Sequence, residues 1–499
     1  MVNKPVMQTQ IPYTLQQALD FVPSAVRECG QVYLVGGCLR DAFLGKSSHD
    51  LDLVVLGDVQ KAARLAAKAL KSPACFLLDA ERNTWRVIAD KDGGQVEIDF
   101  SSPRASSLIG DLALRDFSIN AMAIDLQKPE SLIDPCGGLQ DLHQNTVRAC
   151  SPTSFSDDPV RAIRAVRFGA DLGFRIEPQT LTWLKQSIHR LPGVSSERIR
   201  DEFFKVCTSG NPAAAIHVLE SLDVLFIVFP ELRDLKGLPQ AHPDVQDVWQ
   251  HTAGVVKGMQ RLLAVLTGSY PSEEAQNLVT GKAVLTLGRY RSSLTEVWGA
   301  CPVKNRPLQG LLYWMALLHD AGKSSVVKYD DRGHTSFAGH AEAGAGIAES
   351  ACIRLKLSRA EVKRVSQGVT GHQLIHQLAE GKGDTSPLGI YRMFRQYGES
   401  MLDICILGLA DTLGKFQQTP PEEYWQKELD AARLLLEAWF EKHSEWISPP
   451  RLVDGNELMH LLALEPGSEV GDILEQVREL QAVGQIKTRQ DLLAWLENR

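Results

Sequence analysis

The sequence lacks a long apolar run, a paired-cysteine motif and any surplus of positive charge. Its longest hydrophobic stretch lies near Leu311–Leu318, roughly half of the ~20 residues a membrane span needs, so no membrane partner is expected. The opening MVNKPVMQTQIPYTLQQAL is polar and has no secretory core, which predicts a cytoplasmic chain. The nine cysteines are scattered and include no C-x-x-C pair. Free thiols in a reducing compartment fit that pattern better than a disulfide framework or a zinc knuckle. There is no internal repeat and no low-complexity tract. The net charge of −8 argues against indiscriminate nucleic-acid binding, which relies on Lys and Arg to neutralise phosphates. Any RNA contact must therefore come from local basic patches.

What is present is a composition of 44% hydrophobic and 23% charged residues over 499 positions, typical of a globular chain with several domains. From Gln31 to Leu142 the texture is β-rich and punctuated by glycine, with one helical stretch at Val59–Leu70. Helical patterning takes over from Asp158 to Leu235 and again from Val245 to Phe416. Thr419-Pro420-Pro421 then precedes an amphipathic helix, and ISPPRLVDGNEL opens a last unit. The expected fold class is α+β, a small mixed β-sheet head followed by a long all-α body. Nothing in the sequence sets an oligomeric state.

The strand QVYLVGG runs into CLRDAFLG, which reads as a short helix. Two glycines between strand and helix let backbone approach a ligand, and helix-start N–H groups face an anion. Alone, this is a tight turn. Nearby, HDLDLVV places Asp50 and Asp52 on one strand face and Leu51 and Leu53 on the other. Like charges so close need a cation or solvent between them. QVEIDF repeats the geometry with Glu97 and Asp99. Carboxylates on neighbouring strands beside a Gly-Gly turn make a two-magnesium site plausible for in-line attack on a nucleotide triphosphate.

LVGGCLRDAFLG followed by DLDLVV resembles the signature of the polymerase β-type nucleotidyltransferase superfamily, in the form found in class II tRNA CCA-adding enzymes and poly(A) polymerases. The resemblance implies that Gly36 and Gly37 cradle the triphosphate and that Arg40 and Asp41 brace the loop. It implies that Asp50 and Asp52 hold Mg2+, with Asp99 rather than Glu97 as third carboxylate because it precedes Arg104. DLALRDFSINAMAID, which alone reads as an amphipathic helix, resembles the family's ribose element and implies that Arg115, Asp116 and Asn120 contact the ribose. Leu114 stands where the family has a first arginine. IDPCGGLQDL resembles the hinge element, through Asp134 and Gly137.

In SDDPVRAIRAVRFGADLGF, Asp158 is a good N-cap, Pro159 a good first helical residue, and Arg161, Arg164 and Arg167 share a broad helix face. The family motif E-D-x-x-R implies that Asp158 and Arg161 read the incoming base and that the arginines line the nucleotide site; Asp157 replaces the family's glutamate. Cytosine and adenine each place an amine donor beside a ring-nitrogen acceptor, which a carboxylate and an arginine match. Guanine and uracil reverse that pattern, at a cost on the order of 1–3 kcal/mol. Glu197, Arg198 and Glu202 resemble the neck's E-R-I-x-x-E element and read as braces.

Further on, His251, His319-Asp320, His340, His372 and Asp411 form an ordered set. A lone helical histidine is usually a core or surface residue, but an aspartate closing an apolar helix must be paired or bind a metal. The set resembles the HD phosphohydrolase superfamily. That implies His251, His319, Asp320 and Asp411 as metal ligands, with His340 and His372 behind them or facing phosphate. Imidazole and carboxylate suit Mn2+, Ni2+, Co2+ or Mg2+. The resemblance implies phosphatase or 2′,3′-cyclic phosphodiesterase chemistry there.

The expected domains are an N-terminal segment 1–30, a nucleotidyltransferase head 31–145, a helical neck 146–235, an HD domain 236–420 and a C-terminal tRNA-holding tail 421–499. The implied partners are tRNA, CTP and ATP. Leu77–Gln95, with Arg82 and Arg86, is read as the flexible loop that separates full CCA addition from CC addition. No basic C-terminal extension points to poly(A) addition. CCA addition is thus the first reading and A addition the second. A phosphohydrolase with an inert RNA-binding head, or a plain RNA-binding protein, would require dead acids that the sequence does not show.

Overall fold

The computed structural model describes residues 6–8, 12–72, 74–91, 94–240, 247–268 and 277–498. The start of the third helical block, at Val245, lies outside them. The chain divides into two compact units, Met1–Ser195 and Ser196–Arg499.

The first unit is built on one eight-stranded sheet in the order β1-β8-β7-β2-β3-β6-β5-β4. Its strands are β1 (Val6–Gln8), β2 (Gly30–Val35), β3 (Asp50–Gly57), β4 (Ala74–Asp79), β5 (Thr84–Lys91), β6 (Gly94–Ser101), β7 (Ala123–Asp125) and β8 (Lys128–Ile133). β3 and β6 pair in parallel and the other neighbours antiparallel, so the sheet is mixed. Within the first thirty positions, β1 adds to β8 and helix α1 (Tyr13–Phe21) buries Leu15 and Leu19. Helix α2 (Gly37–Phe43) follows the glycine turn, and α3 (Val59–Ala69) sets its alanine face against β5 and β6. Parallel strands need such a crossover, whereas a hairpin does not. Tyr33, Val35 and Val54 pack with Leu108 and Leu112 of α4 (Leu108–Ala113) and with Ala121 and Ala123.

Three local expectations change. Leu77–Gln95 is not an extended loop but mostly β4, a four-residue turn and β5; Asp92 and Gly93 lie outside the described residues. Alternating TWRVIAD favours a strand once β6 offers a ladder. DLALRDFSINAMAID is not one helix but α4, a 3-10 turn at Ser118–Asn120 and β7. Asp116 draws its carboxylate to its neighbour's N–H and to Asn120, which competes with helical pairing. Asp158 does not cap the arginine helix with its side chain. It closes α6 (Ser154–Asp157), following α5 (Gly138–His143), and α7 runs from Arg161 to Leu172.

Among its described residues the second unit is helical, apart from a two-stranded ribbon at Lys328–Tyr329 and Thr335–Ser336. The helix Leu308–Leu318 is buried at every position but Gln309, which accounts for the apolar run from Leu311 to Leu318. A separate apolar cluster around Leu458, Ile473, Val477 and Leu492 holds the last segment together. Among the described residues no helix is long and apolar enough to cross a membrane.

Candidate functional site

Gly36 ends β2 with φ +82, a conformation that side chains rarely adopt. A Cβ there would meet Asp52 Oδ2 at 2.9 Å and an Arg115 guanidinium nitrogen at 3.1 Å, so this backbone passes both only as glycine. Gly37 opens α2 beside the guanidinium of Arg40. The β3–β6 register sets Asp50 opposite Glu97 and Asp52 opposite Asp99. Asp52, Asp99, Arg104 and Arg115 line a cleft of about 1090 Å³, walled by the Asp79–Thr84 turn. Burial, then the Glu97 charge, raises the Asp50 carboxyl; burial raises Asp52 too, with Arg115 opposing and Asp99 adding to the shift. Carboxylates that resist carrying their full charge together fit a divalent cation with oxygen preference.

Arg86 of β5 meets this group from the side. It donates from Nε and Nη2 to both oxygens of Asp99, at 2.8 Å each, and is also ion-paired with Glu97.

The expected ribose and loop residues form one network. Arg40 donates to both Asp41 oxygens at 2.9 Å and to Asn120 Oδ1 at 2.8 Å. Asn120 Nδ2 donates to Asp116 Oδ1 at 3.1 Å, and Arg164 donates to Asp116 Oδ2 at 3.0 and 2.7 Å. Burial works to raise the Asp116 carboxyl, but Arg164, Asn120 and the Phe117 N–H outweigh it and hold it at about 2. Arg115 is paired with buried Asp111 at 3.2 Å and Arg167 with Asp171 at 3.2 Å. Arg161 lies 3.8 Å from Asp158 and donates to Ser154 Oγ at 2.8 Å and to the Leu114 carbonyl at 2.9 Å. Leu114, in place of the family's arginine, is thus held through its backbone. Asp157 accepts from Thr153 Oγ1 at 2.7 Å. Asp134 pins the glycine turn, accepting from the N–H groups of Gly138 and Leu139 at 2.7 and 3.0 Å.

A second cluster lies in the helical unit. His251 comes from the helix Val248–Leu266, and His319-Asp320 follows Leu308–Leu318. His340 opens a helix, His372 closes one, and Asp411 lies in Ser400–Lys415. The Nδ1 atoms of His319, His340 and His372 face the carbonyls of Ala316, Phe337 and Val369 at 2.9, 2.8 and 2.7 Å. Nδ1–H therefore donates outward and each Nε2 lone pair points inward. Those lone pairs converge: His251 and His319 Nε2 are 3.3 Å apart, and His340 and His372 Nε2 3.2 Å. Asp320 belongs to both trios of potential ligands, His251–His319–Asp320 and Asp320–His340–His372. Asp411 Oδ1 is 2.9 Å from His251 Nε2. Burial and the neighbouring His319 hold His372 down to about 3, so it stays neutral. This donor set fits divalent metal; His340 stands as close to Asp320 as His251 does, at 3.5 Å, and His372 lies at 3.9 Å. Gly322 makes room for it, since a Cβ there would lie 2.2 Å from the His340 carbonyl oxygen.

Several residues escaped the sequence reading. Lys323 reaches Asp320 at 2.7 Å. His376 bridges Asp411 and Glu428, 2.8 Å to each; despite desolvation these two carboxylates raise it to about 10. Its spacing of four from His372 was the available signal. Arg86, read only as part of a flexible loop, gave no sign of its pairing with Asp99, since strand register appears only in the fold.

Residues 32–148 match a family model for the poly A polymerase head domain, 173–235 one for a probable RNA and SrmB-binding site of polymerase A, and 295–413 one for the HD domain. The chain is 34% identical over 471 residues to an A-adding tRNA nucleotidyltransferase of Deinococcus radiodurans, covering 93% of this chain and 94% of that one. It is 28% identical to a CC-adding tRNA nucleotidyltransferase of Geobacter sulfurreducens, over 94% and 91% of the two chains. A multifunctional CCA protein of Xylella fastidiosa is 38% identical over 226 residues, 43% of this chain and 54% of that protein. Among solved structures, a CCA-adding enzyme with CTP superposes with a TM-score of 0.61 at 20% identity, covering 99% of both chains. The Thermotoga maritima CCA-adding enzyme complexed with tRNA gives 0.57 at 21%, over 98% and 99%.

Proposed function

Since this chain belongs to the tRNA nucleotidyltransferase family, with a poly(A)-polymerase-type head and an HD domain, we propose that it adds CCA to tRNA 3′ ends from CTP and ATP in the cytoplasm. The observation that carries this reading is the parallel register that faces Asp52 with Asp99 beside the Gly36 turn. Asp50 and Asp52 would hold two Mg2+ ions, with Asp99 as the third catalytic carboxylate; when bound, the ions would supply neutralisation of the triphosphate and polarisation of the primer's 3′-hydroxyl. The backbone of Gly36 and Gly37 approaches the phosphates without side-chain obstruction, and Arg40 with Asp41 keeps that turn in place. Arg115, Asp116 and Asn120 meet the ribose. Asp158 and Arg161 meet the base edge, with Arg164 and Arg167 behind them. Catalysis is mostly positioning and charge compensation.

In the helical unit, His251, His319, Asp320 and Asp411 would hold a divalent ion such as Mn2+, Ni2+, Co2+ or Mg2+, with His340 and His372 able to join through Asp320. Lys323, Lys382 and Lys415 border the adjoining pocket of about 410 Å³ and favour an anionic phosphate ester or 2′,3′-cyclic phosphate. The domains of this reading are a segment 1–30, a head 31–145, a neck 146–235, an HD domain 236–420 and a tRNA-holding tail 421–499.

A second reading, addition of the terminal A alone, is favoured by the 34% identity to an A-adding relative along nearly its whole length. One assay separates them: labelled CTP and ATP, singly and together, on tRNA transcripts ending at the discriminator base, at C and at CC. Two C followed by one A on the shortest transcript supports CCA addition. Labelling from ATP alone, on the CC-ended transcript, makes it an A-adding enzyme. No incorporation on any transcript overturns both.

A further inference from the structure

We propose that Phe168 is the positioning residue for ribose selection in the head. The inference rests on the reading that Asp116 and Asn120 meet the ribose.

Phe168 lies on α7, 4% exposed, with three guanidinium groups around one ring. Their carbons are 4.3 Å (Arg167), 5.0 Å (Arg40) and 5.6 Å (Arg164) from the ring centroid. Three like charges so close repel one another. Each is offset by its own carboxylate: Asp41 for Arg40, Asp116 for Arg164 and Asp171 for Arg167. The aromatic face gives the cations a common wall, an attraction that neither an aliphatic nor a polar side chain supplies.

Two of those cations hold the ribose pair. Arg40 fixes Asn120 Oδ1, Arg164 fixes Asp116 Oδ2, and Asn120 joins Asp116 through its amide. The chain Arg40–Asn120–Asp116–Arg164 starts on α2 and ends on α7, and both ends rest on the Phe168 ring. The same ring meets Phe117 edge-on, with centroids 5.7 Å apart, and the Phe117 N–H donates to Asp116 at 2.8 Å. Phe168 therefore supports the ribose pair from three sides without touching it. Recognition of a 2′-hydroxyl depends on donor and acceptor placement to within a fraction of an ångström. Loss of the ring lets Arg40 and Arg164 part, and the Asp116–Asn120 pair follows them. Asp50, Asp52 and Asp99 are bound to none of these groups.

The test is the ratio of kcat/KM for ATP over dATP on a tRNA transcript ending at CC, a step that CCA addition and A addition share. It is measured for the full-length wild type, Phe168→Met, Phe168→Tyr and Asn120→Ala, each checked for folding by thermal melting. Phe168→Met removes the ring at similar volume and is expected to lower the ratio roughly five- to tenfold. Phe168→Tyr keeps the ring and is expected to hold it within about twofold of wild type. General damage to the fold would slow both substrates alike and leave the ratio in place. Should Asn120→Ala lower the ratio while Phe168→Met does not, the inference fails and the ribose reading survives. Should neither variant move it, the ribose reading fails and takes the inference with it. An equal loss in Phe168→Tyr and Phe168→Met refutes the role of the aromatic face. If Phe168→Met does not fold, Phe168→Leu takes its place with the same outcomes.

Discussion

Arg86 and Asp99 face each other across the β5–β6 ladder, joined by two hydrogen bonds of 2.8 Å. The guanidinium does locally what a bound cation would do, and it also meets Glu97. Arg86→Gln is expected to cost about 1.5–3 kcal/mol of stability in metal-free buffer, the worth of hydrogen bonds to a charged group. Added Mg2+ should then raise the melting temperature of the variant more than that of the wild type. Equal shifts would mean that Arg86 and the metal do not share these carboxylates.

Gly36→Ala tests the turn. The new methyl faces Asp52 and Arg115 at distances no Cβ tolerates comfortably, from a backbone with φ +82. Nucleotide addition should fall at least about a hundredfold, with a loss of stability on the order of 1–3 kcal/mol. Near-wild-type addition would show that the turn relaxes without moving Asp52.

The Asp116–Arg164 pair sets a pH dependence. The folded-state carboxyl is depressed to about 2, from an ordinary aspartate value of about 3.9. Its contribution is therefore fully present above the unfolded value and is lost as pH falls from about 4 towards 2, at most about 2 kcal/mol. Arg164→Ala removes the cation that depresses it and is expected to destabilise the fold by about 3 kcal/mol at neutral pH. Urea midpoints measured from about pH 6 down to pH 3 should show the gap between wild type and variant narrowing at the acid end. A constant gap would place the depression elsewhere.

The two clusters belong to different units and should fail separately. Asp52→Ala is expected to abolish nucleotide addition and spare phosphate-ester hydrolysis by the HD cluster. Asp320→Ala should do the reverse and should also lose any rise in melting temperature on adding Mn2+ or Ni2+. One variant that loses both activities while folded would show the sites to be coupled.

Much of this was legible beforehand because period-two alternation and glycine turns are local signals. Asp50 with Asp52, and Glu97 with Asp99, declared their shared faces from spacing alone. The choice between Glu97 and Asp99 was different in kind: which of them faces Asp52 depends on a parallel register that no local pattern encodes. The same limit hid the hairpin in Leu77–Gln95, whose strands exist because β6 lies beside them. The histidines were visible as a set, yet their division into two trios about Asp320 required the backbone carbonyls that fix each ring. Asp158 misled because capping preference is weak against the turn of α6 that precedes it.

The parallel pairing in the eight-stranded sheet, β3 with β6, also governs when the head becomes competent. Hairpins such as β4–β5 close locally and early, but β3 must wait for α3, β4 and β5 to be made and folded before β6 reaches it. Asp52 and Asp99 do not come together until that non-local contact forms. In a refolding experiment, metal uptake by the head should therefore lag behind the bulk of secondary-structure formation. It would act as a clock for the last step of assembly rather than the first.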